Sequence, residues 1–235
     1  MLYRSDDGSR DMERSGALSA HLAKVYWWMT FALAVSGLCA WTVGLSPGLT
    51  KMLIANRGIF LVLVLAEFGL VLGINMCIRK LSAATASALF ILYSALNGIT
   101  LSTVFLVYTQ SSIALVFGIT AATFAAMAAV GSVTKQDLTG FGNILFMALI
   151  GLIIASVVNF FLRSAMLYWI CSYAGVLIFV GLTAYDAQKI KRAFLSVDPD
   201  DRETLGRLSV IGALELYLDF VNLFLYLLRI FGRRR

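Results

Sequence analysis

The stretch GALELYLDFVNLFLYLLRIFG, residues 212–232, is apolar enough to lie in hydrocarbon, yet it carries two carboxylates, Glu215 and Asp219, one helical turn apart. Asp186 closes a second apolar stretch, GLTAYD, and Glu67 lies inside a third. A carboxylate near the middle of a bilayer costs at least about 2.5–3.5 kcal/mol on insertion scales, so such residues face a bundle interior and mark a pathway or a proton relay. A short link favours neighbouring helices for Asp186 and Asp219. Their carboxyl groups would then meet in a dry site, where both cannot ionise cheaply and the pair titrates as a unit. Two unit charges ~4 Å apart repel by about 4 kcal/mol at an effective dielectric of ~20. Moving a two-state equilibrium from 1:99 to 99:1 takes about 5.5 kcal/mol. Loss of a shared proton therefore supplies most of what a conformational switch needs. Glu215 shares a helical face with Asp219, and Asn222 follows three residues later. Glu67 and Glu215 are auxiliary intramembrane acids, serving either the pathway or hydrogen bonds between helices. Arg79 and Lys80, at the end of the segment that holds Glu67, are the cations placed to offset the repulsion.

The elements that must position these groups are membrane-spanning helices. Of the 235 residues 60% are hydrophobic and 14% charged, where soluble domains carry roughly 25% charged residues; the mean hydropathy is +0.86. Apolar blocks fall at 25–45, 59–78, 84–107, 113–133, 144–162, 167–187 and 208–230. About 20 residues suffice to cross ~30 Å of hydrocarbon. The prolines, Pro47 and Pro199, lie in connections, so each run satisfies its own backbone hydrogen bonds as a helix. The runs are too long for the roughly ten-residue strands of a membrane barrel. The expected class is all-α: a polytopic bundle of seven transmembrane helices at 25–232, with a charged tail at 1–24 and a basic tail at 233–235. No cleavable signal peptide is expected, and the first span serves as the targeting signal.

The net charge of +6 does not point to nucleic acid, because the basic residues are scattered among loops and tails. Topology accounts for them better. With the N-terminus in the cytoplasm and seven crossings, the cytoplasmic side holds 12 Lys and Arg and the opposite side 7, as the positive-inside rule favours. The basic C-terminus runs against that count, and a last segment that re-enters would resolve it. The cysteines Cys39, Cys77 and Cys171 read as buried apolar thiols. Gly118, Ala122 and Ala126, and beside them Ala121, Ala125 and Ala129, recur at the spacing of close helix packing. His21 is the single histidine, so zinc, haem and Ser-His-Asp chemistry lack their usual ligands or base. The acidic connection at 187–207 lacks the glycine and glutamate positions of an EF-hand loop.

GLTAYDAQKI (181–190) and LYLDFVNLFLYLLRIFG (216–232), with VTKQDLTGFG (133–142) and NGITLS (97–102), resemble the transmembrane Bax-inhibitor motif family, above all its bacterial members. The similarity runs from Lys24 to Gly232. It implies seven helices with the last one central, and a paired aspartate site, Asp186 and Asp219, that senses pH for a calcium leak. It also implies a basic latch at the end of segment two, Arg79 or Lys80. Glu215 departs from the expected pattern and adds a third carboxylate, so Asp186, Asp219 and Glu215 are the oxygens expected to touch a passing calcium ion. No cofactor is expected. The implied setting is a bacterial inner membrane, with lipid, protons, calcium and a membrane-protein partner as the things it meets. Two rival classes remain. An intramembrane aspartyl protease would also use two acids, but the glycines around its second aspartate and its Pro-Ala-Leu element are missing. A regulatory partner of a membrane-bound protease or channel would need no transport activity.

Overall fold

Local capping signals set where the helices begin. The computed structural model describes residues 5–78 and 80–235, with side chains throughout except those of residues 5–15, Pro47, Lys51, Ile54 and Arg57. The helices are α1 (Ser5–Gly44), α2 (Pro47–Ala55), α3 (Arg57–Cys77), α4 (Ala83–Leu101), α5 (Val104–Val107), α6 (Gln110–Val133), α7 (Thr139–Leu162), α8 (Ala165–Leu195) and α9 (Arg202–Phe231). Asn56 accepts from the N–H groups of Gly58 and Ile59, Ser82 from Thr85, Ser164 from Leu167 and Asp201 from Thr204. Each cap satisfies donors that the first turn leaves open. Pro47 stands at the start of α2, where its missing N–H costs nothing.

Among the described residues seven helical spans are long and apolar enough to cross a membrane: Gly16–Gly44, Gly58–Cys77, Ala83–Val107, Gln110–Val133, Thr139–Leu162, Ala165–Leu195 and Arg202–Phe231. The protein is an all-α polytopic membrane protein. The third span is α4 and α5 in sequence, bent at Ser102 and Thr103.

Burial separates the centre from the rim. In α9 67% of the most apolar window is buried, against 11% in α3 and in α7. α9 packs on α8, α1, α6 and α4, while α3 packs mainly on α4, and α7 on α8. Around the first half of α9, Tyr217, Leu214 and Val210 join Phe90, Val25 and Ile74 in one apolar cluster. Around its second half, Leu223, Leu227 and Leu228 join Val116, Cys171 and Leu182 in another.

Four expectations change. The tail before Lys24 is not a separate segment: α1 begins at Ser5, Leu18 and Leu22 pack on the core, and His21 stacks on Phe194 at 5.3 Å between ring centres. The last segment does not re-enter, since α9 is one uninterrupted helix of 30 residues. Its far end lies beside Tyr108, whose backbone pairs with Arg234. α6 buries Val116, Thr120, Phe124, Ala128 and Gly131, whereas Gly118, Ala122 and Ala126 are exposed. All three cysteines are free, but only Cys171 is buried; Cys39 is half-buried and Cys77 is exposed at the end of α3.

Candidate functional site

The site grows from two segments that the chain itself ties together. Gln188 on α8 grips the connection between α6 and α7 from both directions: its Nε2 donates to the Gln136 carbonyl (2.7 Å), and its Oε1 accepts from the Leu138 N–H (2.9 Å). Lys191 Nζ donates to the Ser132 carbonyl at 2.7 Å. Arg192 Nη1 pairs with Asp137 Oδ1 at 2.6 Å. Asp137 Oδ1 also accepts from the Thr139 hydroxyl (2.6 Å) and N–H (2.9 Å). These bonds to Thr139, with Arg192 behind them, hold the Asp137 carboxyl at about 2, below its ordinary 3.8. Within the membrane α6 and α8 come so close that a Cβ added to Gly131 would lie 2.0 Å from the Ala184 carbonyl oxygen. Gly131 thereby sets the depth of α8 two residues before Asp186.

Asp186 faces α9. The Asp186 and Asp219 carboxyl groups approach each other across the α8–α9 interface closely enough for each to feel the other's charge. Asp219 is 4% exposed, and its Oδ2 is buried and meets no hydrogen-bond donor among the described residues. Two ionised carboxylates offer only lone pairs, so a bond between them would need a proton on one of them. Glu215 stands one turn earlier on α9. Lys189 Nζ lies 2.6 Å from Glu215 Oε1 and 3.7 Å from Asp186 Oδ1. With Lys189 charged and one proton between the aspartates, the four side chains carry one net negative charge.

The structure thus joins Asp186 and Asp219, the expected pair, and draws Glu215 to its edge. It does not bring the remaining expected residues there. Lys80 is exposed in the connection between α3 and α4, and Arg79 lies outside the described residues. Among the described residues, the cation that reaches the aspartates is Lys189. The sequence signal for it was a spacing of three from Asp186 on a helix that extends past the apolar block, so that Lys189 is helical and not in a loop. Asn222 does not extend the acidic stripe, because its Nδ2 donates to the Leu218 carbonyl of its own helix at 2.8 Å. No group of three or more His, Cys, Asp or Glu among the described residues is arranged to hold a metal ion. Glu215 is turned to Lys189.

Glu67 belongs to a second polar network. It accepts from Asn97 Nδ2 at 3.2 Å and from the Thr100 hydroxyl. Asn97 Oδ1 accepts from Tyr217 at 2.9 Å, and the Tyr217 hydroxyl lies 2.6 Å from Ser36 Oγ. Four helices, α3, α4, α9 and α1, are joined by this chain. Tyr217 is fully buried between Phe90 and Tyr93, two residues from Asp219. Neither Tyr217 nor Ser36 stands out in the sequence, since a lone tyrosine or serine in an apolar run carries no spacing signal.

Comparison with known proteins then places this geometry in a family. The family described as "Inhibitor of apoptosis-promoting Bax1" matches residues 18–235. The chain belongs to this family. The Bax1-inhibitor relatives include "Inner membrane protein YbhL" of Escherichia coli K12, 50% identical over 218 residues, 93% of each chain. A Borreliella burgdorferi protein is 47% identical over 91% of this chain and 92% of its own. One from Caulobacter vibrioides is 36% identical over 96% and 93%. Bax1-inhibitor membership therefore covers all seven spans, and with them both aspartates.

Proposed function

We propose that this protein is a pH-sensitive calcium leak channel in which the Asp186–Asp219 pair is the sensor. The observation that carries the reading is Asp219 Oδ2, buried with no hydrogen-bond partner among the described residues and close to the Asp186 carboxyl group. A proton shared between the two carboxyl groups would hold them together. When the proton leaves, two negative charges are forced together in a medium of low dielectric, and α8 and α9 are driven apart. Because α9 packs on α1, α4, α6 and α8 together, a shift at Asp219 reaches most of the bundle. Carboxyl oxygens freed from each other are hard donors of the kind that a passing calcium ion prefers.

The proposed setting is the bacterial inner membrane, which the name of the Escherichia coli relative supports. The proposed topology has the N-terminus in the cytoplasm, in keeping with 12 Lys and Arg on that side against 7 on the other.

The test is calcium uptake into vesicles holding the purified full chain, followed as a function of pH, for the wild type and Asp219→Asn. Uptake above that of protein-free vesicles, with a pH dependence that the substitution alters, supports the channel. Uptake equal to protein-free vesicles at every pH would remove it and leave the regulatory-partner reading.

A further inference from the structure

The end of the bundle far from Asp186 holds a second constellation that plays no part in the carboxylate pair. A cavity of about 560 Å³ opens there, lined by Arg163, Tyr168, Trp169, Arg229 and Arg234 among others. Each arginine is placed by the fold. Arg163 ends α7 in the left-handed region, φ 52°, with its N–H bonded to the Asn159 carbonyl at 2.8 Å. That conformation is uncommon outside glycine, asparagine and aspartate, and it turns the chain tightly into α8. Arg229 lies over the Tyr226 ring at 4.9 Å and the Tyr168 ring at 5.9 Å. Arg234 sits on a tail tied by backbone bonds, Thr109 N–H to the Arg233 carbonyl (3.1 Å) and Arg235 N–H to the Val107 carbonyl (3.0 Å). Its Nη2 reaches the Tyr168 hydroxyl at 3.4 Å.

Three guanidinium groups held around one cavity repel one another, yet none of the ion pairs among the described residues engages them. The acids whose side chains pair, Asp137, Asp186, Glu203 and Glu215, lie elsewhere in the bundle. Arginine forks match the oxygens of phosphate in shape and charge. The cavity also adjoins hydrocarbon, since Phe160, Phe161, Leu162 and Met166 beside it are 66–77% exposed, and Trp169 and Tyr168 have the polar-tipped rings that favour the headgroup level. We propose that Arg163, Arg229 and Arg234 bind a phosphate-bearing anion in this cavity. Its position at the rim of the apolar surface makes the headgroup of an anionic membrane lipid the source.

The experiment is native mass spectrometry of the purified full chain in detergent, titrated with phosphatidylglycerol, phosphatidylcholine or inorganic phosphate. The variants are Arg234→Gln and Arg163→Asn/Arg234→Gln, asparagine being chosen because it tolerates the left-handed backbone. Arg192→Gln, at the opposite end, is the control. Each lost arginine should weaken phosphatidylglycerol binding about fivefold, or about 25-fold for the pair. Phosphatidylcholine should bind more weakly to the wild type and respond little, and the control should match the wild type. Competition by inorganic phosphate would support the shared chemistry. Binding of inorganic phosphate without any preference for the anionic lipid would overturn the lipid source. Equal phosphatidylglycerol affinity in wild type and Arg234→Gln would overturn the site, and that single change of an exposed residue decides the matter should the double variant not purify.

Discussion

Lys189 reaches across the α8–α9 interface to Glu215, with Nζ 2.6 Å from Oε1. Its charge is shared, because Asp186 Oδ1 is only 3.7 Å from the same nitrogen. The proton balance of the aspartates therefore depends on a lysine that a glutamate holds in place.

Lys189→Met removes the positive charge nearest Asp186 and favours the protonated pair. The midpoint of calcium flux against pH should move up by about 0.5–1 pH unit, given the partial exposure of the lysine. Adding Glu215→Gln removes a negative charge as well and should bring the midpoint back toward the wild type. An unmoved midpoint in Lys189→Met would separate Lys189 from the sensor.

Asp219→Asn supplies a permanent donor of nearly the same shape as a protonated carboxyl group. Asp186 then keeps its partner at every pH, and flux should stay at the wild-type acid-side level while its pH dependence disappears. A pH profile that keeps the wild-type form in vesicles would show that sensing resides elsewhere.

Asp137 titrates in a different window. Its folded value, about 2, lies below the ordinary 3.8, so its stabilising contribution is present above about 4 and is lost as the pH falls toward 2. Asp137→Asn should loosen the 134–138 connection at neutral pH, read as faster amide exchange there. The flux midpoint should stay where the wild type has it. A displaced midpoint would make the Asp137–Arg192 pair part of the sensor.

Gly131→Ala introduces a Cβ 2.0 Å from the Ala184 carbonyl oxygen. Backbone on both sides leaves little room to yield, so the overpacking should cost about 1–3 kcal/mol, read as a fall in Tm of the detergent-solubilised chain. The same change in Gly118, which has no neighbour within 4 Å, should leave Tm unchanged. Equal Tm values for the two variants would mean that α6 and α8 are not held together at Gly131.

The helical class and seven spans were legible because hydrocarbon imposes one rule on every run, and Asp186 and Asp219 were legible because charge is conspicuous in an apolar run. The partners of those acids were harder to read. Lys189 lies past the apolar block, and only the continuation of α8 to Leu195 places it back beside Glu215. The small-residue stripe of α6 misled because spacing alone does not say which face a neighbour occupies: Val116, Thr120 and Phe124 are turned inward while Gly118 is not. In the sequence Glu67 reads as an acid that needs partners, and those partners, Asn97 and Thr100, come from α4 through contacts that no local pattern encodes.

The most enclosed helix of the bundle, α9, follows the other six spans in the chain. Without it Phe90 and Ser36 would lose Tyr217, Phe124 would lose Phe220, and Asp186 would lose Asp219 and Glu215. A chain cut between α8 and Asp219 would therefore keep six spans around a polar, unfilled middle, a ready substrate for quality-control proteases.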